Sequence, residues 1–270
     1  MSSLKRYRFL ILRRVVQLGV LLLFFGANAY GWKVLVGNLS ASKLFDVIPL
    51  ADPYAVLQML CAGAAISSDL VLGAVIVTLF YAIIGGRAFC SWVCPVNLIT
   101  DLAGWLRRKL KIDVEGKRVY VSRRFRYWFA ASMLVLSVIT GVAAFEFISP
   151  IGVLTRGIVF SIGFGWTLIL AIFLFDLFVL KNGWCGHICP LGGVYSLIGA
   201  FNLVRVRHTK DRCTLCGECF TVCPEREVLD GLINKKDGYV KGIACTNCGR
   251  CVEVCEDGAL RFDVRKNIRS

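Results

Sequence analysis

The sequence contains few histidines, few prolines and few charged residues. Two histidines among 270 residues exclude a bundle with two bis-histidine haems, which needs four histidine ligands. Six prolines, together with 26 glycines that show no period, exclude collagen and a disordered chain. Charged residues make up 19% of the chain, below the ~25% of average soluble domains, and the mean hydropathy is +0.66. This composition predicts a membrane protein.

Four apolar stretches are long enough to cross a bilayer, which takes ~20 helical residues. They are residues 15–36, 70–86, 127–148 and 158–180. Lysine and arginine are concentrated before the first stretch and between the second and third. Because these residues accumulate on the cytoplasmic side, we expect a multi-pass membrane protein with its N-terminus and C-terminal segment in the cytoplasm. The same rule explains the net charge of +14 without a nucleic-acid partner. Cleavage after Ala27-Asn28-Ala29 is an open alternative for the first stretch and would leave the later topology unchanged.

The C-terminal cysteines follow the spacing of a bacterial two-cluster ferredoxin, C-x2-C-x2-C-x3-C, twice. Three cysteines of each run hold one [4Fe–4S] cube, and the fourth holds the other cube. The spacing thus predicts one cluster on Cys213, Cys216, Cys219 and Cys255, and a second on Cys245, Cys248, Cys251 and Cys223. Zinc is disfavoured because its sites pair two C-x2-C units, and disulfides are disfavoured in the reducing cytoplasm.

A Cys-x3-Cys-Pro motif occurs twice, each time after a predicted span at its cytoplasmic end. The pairs are Cys90 with Cys94 and Cys185 with Cys189, and His187 lies inside the second motif. The four thiols could be ligands of a third cluster or metal, a dithiol relay or small packed residues. The duplication favours a redox or metal role. His187 could ligate a metal, relay a proton or only donate a hydrogen bond at a helix end.

The two motifs belong to an internal repeat. Residues 86–90 align with 183–185, and residues 52–57 align with 149–154. Two helical hairpins in the same orientation predict a parallel repeat around an axis along the membrane normal. We expect the two cysteine motifs to face each other on the inner side. His208, beside two arginines, is expected to belong to a linker that faces lipid headgroups.

These features together resemble the NapH/MauN-type ferredoxin-like membrane proteins, and the resemblance covers nearly the whole chain. It implies an all-α membrane bundle of four transmembrane helices, built as two repeated hairpins, in residues 1–204. A small α+β two-cluster ferredoxin domain follows in residues 205–270. Length and motifs are most similar to the NapH branch, the quinol dehydrogenase component of periplasmic nitrate reduction. That branch implies electrons taken from the quinone pool of the bacterial inner membrane and passed to a periplasmic polyferredoxin or c-type cytochrome, then to a terminal reductase. The MauN branch and the related assembly protein CcoG imply the alternative, electron supply for maturation or cofactor assembly of a partner.

Quinol oxidation requires a proton acceptor beside an apolar slot, and carboxylates near the predicted spans are few. Asp176 lies deep in the fourth span, where an ionisable residue is functional by default, although a structural role toward a backbone group is the alternative. Glu146 lies near the outer end of the third span and is either part of a quinol site or an interfacial residue. Asp52 and Asp69 are expected to be loop or cap residues.

Overall fold

A computed structural model describes residues 7–112, 121–160, 165–233 and 237–265 of the chain. The described residues form two compact units. The first unit takes its residues from Met1–Gln17, Leu79–Val93 and Tyr195–Ser270, and the second from Leu18–Thr78 and Cys94–Val194. The first unit therefore combines the C-terminal cysteine runs with two segments from much earlier in the sequence.

Helices dominate the described chain. They are α1 (Arg8–Tyr30), α2 (Pro53–Cys61), α3 (Ser68–Ile84), α4 (Ala88–Trp92), α5 (Val96–Lys109), α6 (Phe125–Thr140), α7 (Ala144–Ile148), α8 (Pro150–Phe160), α9 (Gly165–Leu174), α10 (Pro190–Ile198), α11 (Glu218–Val222), α12 (Glu227–Asp230) and α13 (Arg250–Val254). Phe175–Val179 and Trp184–Ile188 are π-helical turns, and Gly199–Phe201 and Lys210–Arg212 are 3-10 turns. The strands are β1 (Leu35–Gly37), β2 (Ala41–Leu44), β3 (Ile48–Ala51), β4 (Val204–His208), β5 (Gly238–Tyr239) and β6 (Leu260–Val264).

One helix in the described part of the chain, α1, is long and apolar enough to cross a membrane. The other three predicted spans contain shorter helices: α3 has 17 residues, α6 has 16, and the last stretch is divided between α8 and α9 with its π-helical turn. α6 ends before residue 148 because Gly141, at φ 68°, takes the left-handed conformation that terminates helices. The structure thus supports one span by length and leaves the four-span bundle a proposal.

Large apolar side chains on these helices are exposed. Examples are Leu22 on α1, Leu72 and Leu79 on α3, and Val138 and Ile139 on α6, where Ile139 is 76% exposed. Soluble proteins bury most large apolar side chains, because removing apolar surface from water stabilises the fold. The exposed surface is consistent with helices that contact lipid.

Residues 35–51 form a three-stranded antiparallel sheet in the order β1-β2-β3. Phe45 and Asp46 connect β2 to β3 with positive φ angles of 53° and 60°. Lys43 on β2 pairs with Asp69 in the first turn of α3, at 3.3 Å. The expectation of an all-α membrane domain is therefore wrong for this segment, and the first predicted span is also wrong at its end, since the helix stops at Tyr30.

The helix α2 organises the second unit. Asp52, expected to be a loop or cap residue, caps its N-terminus by accepting a hydrogen bond from the Ala55 amide. The Tyr54 hydroxyl donates to the Ala130 carbonyl of α6 at 3.0 Å, and the buried Gln58 accepts from the Phe145 amide of α7 at 2.9 Å. Buried polar groups are thus paired across three helices.

The first unit contains the small α+β module predicted for the C-terminal segment. β4 is the central strand of a three-stranded antiparallel sheet, with β5 on one side and β6 on the other. Its core contains Val206, Leu229, Val240 and Leu260, and the cysteines Cys219 and Cys251 belong to the same core. The cysteine runs are therefore an integral part of the packed interior.

Candidate functional site

Two cavities in the first unit are each lined by four cysteines. One contains Cys213, Cys216, Cys219 and Cys255. The other contains Cys223, Cys245, Cys248 and Cys251. The fourth cysteine of each run thus crosses to the cavity of the other run, which is the grouping that the spacing predicts.

The two cysteine loops have the same backbone conformation, 32 residues apart. Leu215 and Asn247 have positive φ angles of 61° and 47°, and Gly217 and Gly249 have φ angles of 78° and 76°. Each glycine precedes a five-residue helix, α11 or α13, that carries the third cysteine of the run. The alternating left-handed residues turn the chain so that three thiols of each run line one cavity.

Burial and mutual proximity disfavour charge on these thiols. Burial, followed by the sulfurs of Cys213, Cys216 and Cys255, raises the pKa of Cys219 to about 11. Burial and the neighbouring sulfurs of the other cavity likewise raise the pKa of Cys251 well above its usual value. Thiolates gathered in this way require a compensating cation, and metal binding is what deprotonates grouped cysteines in proteins.

The donor set therefore fits a thiolate-bound iron–sulfur cluster in each cavity. No three histidine, cysteine, aspartate or glutamate side chains in the described ranges form a site for a single metal ion. The four cysteines instead surround a cavity, as the four corners of a cube require.

The second cavity is backed by residues 84–92, which include α4 and the first Cys-x3-Cys-Pro cysteine. The Ser91 hydroxyl donates to the Thr246 carbonyl at 2.7 Å, and Trp92 Nε1 donates to the Asn247 carbonyl at 3.0 Å. Asn247 in turn donates to the Ile84 carbonyl at 3.0 Å. Thr246 and Asn247 line the cavity, so the hydrogen bonds from residues 84–92 hold this part of the cavity lining in place.

A buried ion pair belongs to the same contact. Arg87 donates to Glu225 at 2.5 Å and to the Ala244 carbonyl at 2.9 Å, and the side chains of Arg87 and Glu225 are 2% and 3% exposed. Glu225 also lines the second cavity. Sequence reasoning assigned Arg87 to the basic loop that orients the protein and did not identify Glu225. Its position two residues after Cys223 is the signal that could have identified it.

The two Cys-x3-Cys-Pro motifs have similar local structures. In each, a short helical turn carries the first cysteine, the second cysteine follows the turn, and the proline precedes or begins the next helix, α5 or α10. The predicted turn before each proline is confirmed. Cys90 belongs to the first unit, whereas Cys94, Cys185 and Cys189 belong to the second. The convergence of the four thiols stays a prediction, and His187 is buried within its π-helical turn.

Asp176 is buried in the second unit, with 1% of its surface exposed. Its Oδ1 accepts a hydrogen bond from the Trp184 amide at 2.9 Å, directly before the second cysteine motif. Arg107 on α5 donates to the carbonyls of Asp176 and Leu177 at 3.3 and 3.1 Å. The other carboxylate oxygen of Asp176, Oδ2, is buried without a hydrogen-bond partner in the described structure. Asp176 therefore has both a structural contact and a free oxygen, and π-helical turns such as this one are frequent at functional sites.

Glu146 and His208 lie in other surroundings. Glu146, in the first turn of α7, accepts a hydrogen bond from the Ser40 hydroxyl at 2.9 Å. His208 is fully buried in β4 and lines the cavity of Cys213, so its assignment to a linker facing lipid headgroups is wrong. The strand β4 places it there because every second residue of the strand points into the core.

Comparison with known families supports both cysteine groups. A family model described as a 4Fe-4S binding domain matches residues 70–113 and again residues 160–208. A second model, described as a 4Fe-4S dicluster domain, matches residues 205–256. The first model matches the part of each repeat copy that contains a Cys-x3-Cys-Pro motif, and the second covers both cysteine runs.

Curated relatives match most of the chain. The methylamine utilization ferredoxin-type protein MauN of Methylorubrum extorquens is 43% identical over 84% of this chain and 78% of its own length. The ferredoxin-type protein NapH of Escherichia coli is 44% identical over 83% of this chain and 78% of its own length. MauN of Methylobacillus flagellatus is 40% identical over 99% of this chain and 95% of its own length. No solved structure gives a significant match.

Proposed function

Because the chain belongs to the MauN/NapH family of ferredoxin-type iron–sulfur electron-transfer proteins, we propose that it is a membrane subunit that oxidises quinol. The electrons of the quinol go toward a periplasmic polyferredoxin or c-type cytochrome and finally to a terminal reductase, with nitrate reductase the first candidate. The observation that carries this proposal is the pair of four-cysteine cavities. Two one-electron centres can together accept the two electrons that one quinol releases.

The ligands are assigned cavity by cavity. Cys213, Cys216, Cys219 and Cys255 hold one [4Fe–4S] cluster, and Cys223, Cys245, Cys248 and Cys251 hold the other. When bound, the clusters supply reversible one-electron transfer. The protein contributes the thiolates, the packing around them and the charges nearby.

Asp176 is the proposed proton acceptor. Each quinol that becomes quinone releases two electrons and two protons, and the electrons leave to the oxidised periplasmic redox protein. Asp176 Oδ2 takes the two protons one after the other, while Oδ1 keeps its hydrogen bond to the Trp184 amide. Glu146 is the second candidate, at a site that includes Ser40. Each proton that the carboxylate takes is passed to water before the next one is accepted.

The membrane arrangement is part of the same proposal. Residues 1–204 form a four-span domain with two repeated hairpins, and residues 205–270 form a cytoplasmic two-cluster domain. The exposed apolar side chains of α1, α3 and α6 support contact with lipid, and shorter helices cross where the bilayer thins locally. The four motif cysteines have a redox or metal role, which the family match across both repeats supports.

Quinol reduction of the clusters tests the proposal directly. The full-length protein is purified anaerobically in detergent and mixed with excess menaquinol or ubiquinol, and cluster reduction is followed by electron paramagnetic resonance. We expect reduction of the wild-type protein, and loss of it in Asp176→Asn, which retains an oxygen for the Trp184 amide but cannot accept the proton. Dithionite should still reduce the variant.

Asp69→Asn is the matched control, since Asp69 is exposed and paired only at the surface with Lys43. It should be reduced by quinol as the wild type is. Clusters that stay oxidised with both quinols, in protein that dithionite reduces, would contradict the quinol proposal.

The second candidate function is electron supply for maturation or cofactor assembly of a partner. The observation that favours it is the match to a methylamine utilization protein, MauN, which extends over 99% of this chain. This function predicts that a cytoplasmic reductant such as reduced flavodoxin reduces the clusters and that quinols do not. The same redox experiment therefore separates the two candidates.

A further inference from the structure

The ion pair of Arg87 and Glu225 lies between the two chain segments that bring ligands to the second cavity. Glu225 is two residues beyond Cys223, and Ala244, whose carbonyl Arg87 also binds, directly precedes Cys245. The guanidinium thus joins the crossing ligand of one run to the first ligand of the other. Arg87 lies three residues before Cys90 in the sequence, so the same segment also carries the first cysteine of the first Cys-x3-Cys-Pro motif.

The surroundings hold Arg87 in place. On its C-terminal side, Ser91 and Trp92 bind the carbonyls of Thr246 and Asn247. On its N-terminal side, the Gly86 amide donates to Asn202 Oδ1 at 2.8 Å. A charge fixed at this depth acts through a medium of low dielectric, where its effect on a neighbouring group is several times larger than in water.

The charge of Arg87 lies close to the ligands of the second cavity. Its guanidinium donates to the carbonyl of Ala244, the residue bonded to Cys245, and to Glu225, which lines the cavity together with Cys245. Arg205 donates to the carbonyls of Val240 and Gly199, whereas Arg87 pairs with a carboxylate. The charge beside Cys245 can therefore be changed in either direction at the Arg87 pair.

We propose that Arg87 and Glu225 are positioning residues that set the reduction potential of the second cluster. This inference rests on the proposed cluster at Cys223, Cys245, Cys248 and Cys251. Reduction adds one electron to a group that four thiolates already make negative. A positive neighbour therefore favours the reduced form, and an unpaired buried carboxylate disfavours it.

The test measures the midpoint potential of each cluster in the full-length, detergent-purified protein by redox titration with paramagnetic resonance. Cys216→Ala, at an exposed ligand of the first cavity, identifies which signal belongs to which cluster. We expect Arg87→Gln to lower the reduced-to-oxidised ratio of the second cluster about tenfold at fixed potential, a shift of about 59 mV for one electron. Glu225→Gln should raise the ratio by a similar factor.

The double variant R87Q/E225Q should return the ratio to within about twofold of the wild type, because the two charge changes cancel. The control pair is Arg207 and Asp263, an ion pair of the same type at 3.1 Å on the partly exposed side of β4 and β6. R207Q and D263N should leave both potentials unchanged.

Shifts of the same sign in both single variants, equal shifts of both clusters, or ratios within twofold of the wild type throughout would overturn the inference. If Arg87→Gln does not fold, Glu225→Gln and the double variant decide the sign alone. Protein with eight irons and unmoved potentials refutes the role of the pair, whereas protein that contains no iron refutes the proposed clusters.

Discussion

The cavity of Cys213 lies beside exposed residues, whereas the cavity of Cys245 is backed by a segment from a distant part of the sequence. Cys216 is exposed, Leu215 is 53% exposed, and the lining residues Thr214 and Asp257 bond to each other at the surface. In the second cavity, the lining residues Glu225, Thr246 and Asn247 are instead bound by residues 84–92.

A duplicated sequence pattern has thus produced two loops of equal backbone conformation. They differ in their outer layer, the residues that surround the cavity lining. The outer layer determines the dielectric and the charges that a cluster experiences, and these determine its reduction potential. A cluster in the first cavity would be accessible to a redox protein in solution. A cluster in the second would lie beside residues 84–92, which follow α3 and include Cys90.

Removal of a ligand from each cavity is the most severe test of this comparison. Cys251→Ala and Cys216→Ala should each lower the iron content by about four atoms, from about eight, or from about twelve if the Cys-x3-Cys-Pro thiols hold a third cluster. Cys251 is part of the core with Val206 and Leu229, so its variant should also lower the melting temperature more.

Iron and acid-labile sulfide analysis, with thermal unfolding by circular dichroism, measures both effects. An unchanged iron content in either variant would remove that cysteine from the ligand set. A larger loss of stability in Cys216→Ala would reverse the assignment of the buried and the exposed cavity.

Separation of the ion pair should have the next largest effect. Arg87→Ala leaves the Glu225 carboxylate buried without its partner, which costs about 3–5 kcal/mol in buried pairs. Denaturant unfolding of the first unit, monitored through the loss of cluster absorbance, measures this cost. Arg207→Ala at the surface pair should not change the midpoint measurably, and equal losses in both variants would contradict the difference in burial.

Much of this site could be predicted from the sequence, because the spacing of the cysteines restricts which of them can hold the same cluster. The crossing of Cys223 and Cys255 between cavities, the cap at Asp52 and the turns before the motif prolines were all predictable from local rules. Each depends on residues that are close together in sequence or on a repeated pattern.

The outer layer of the second cavity could not be predicted, because it depends on contacts between distant segments. Arg13, Arg87 and Arg126 are all buried, although a count of basic residues assigns them to cytoplasmic loops. Composition cannot distinguish an arginine that faces lipid headgroups from one that donates to a carboxylate or carbonyl. The sheet at residues 35–51 was missed for a similar reason, because its strands are three or four residues long.

A third test concerns the link between the second cavity and the N-terminal helix. Glu253, on the helix α13 that carries Cys251, accepts hydrogen bonds from the amides of Phe9 and Leu10 in the first turn of α1. These amides have no partner within the helix. Glu253→Ala should therefore cost about 1 kcal/mol of local stability.

Hydrogen exchange at residues 9 and 10 measures this change, which we expect as a several-fold faster exchange. Glu256→Ala is the control, because Glu256 is exposed and lies three residues farther along the chain. Equal exchange rates in the two variants would mean that α1 does not depend on the cap.

The smallest expected effect is at the exposed cavity, and it sharpens the comparison most. Asp257→Asn removes one negative charge beside the first cluster, as Glu225→Gln does beside the second. Because water and salt screen an exposed charge, the reduced-to-oxidised ratio of the first cluster should change by less than about twofold, against about tenfold at the second. Redox titration of the two variants in parallel, at low and high ionic strength, gives the comparison. A tenfold change in D257N that persists at high salt would show that the two cavities have similar electrostatic environments, despite the wall that only the second one has in the described structure.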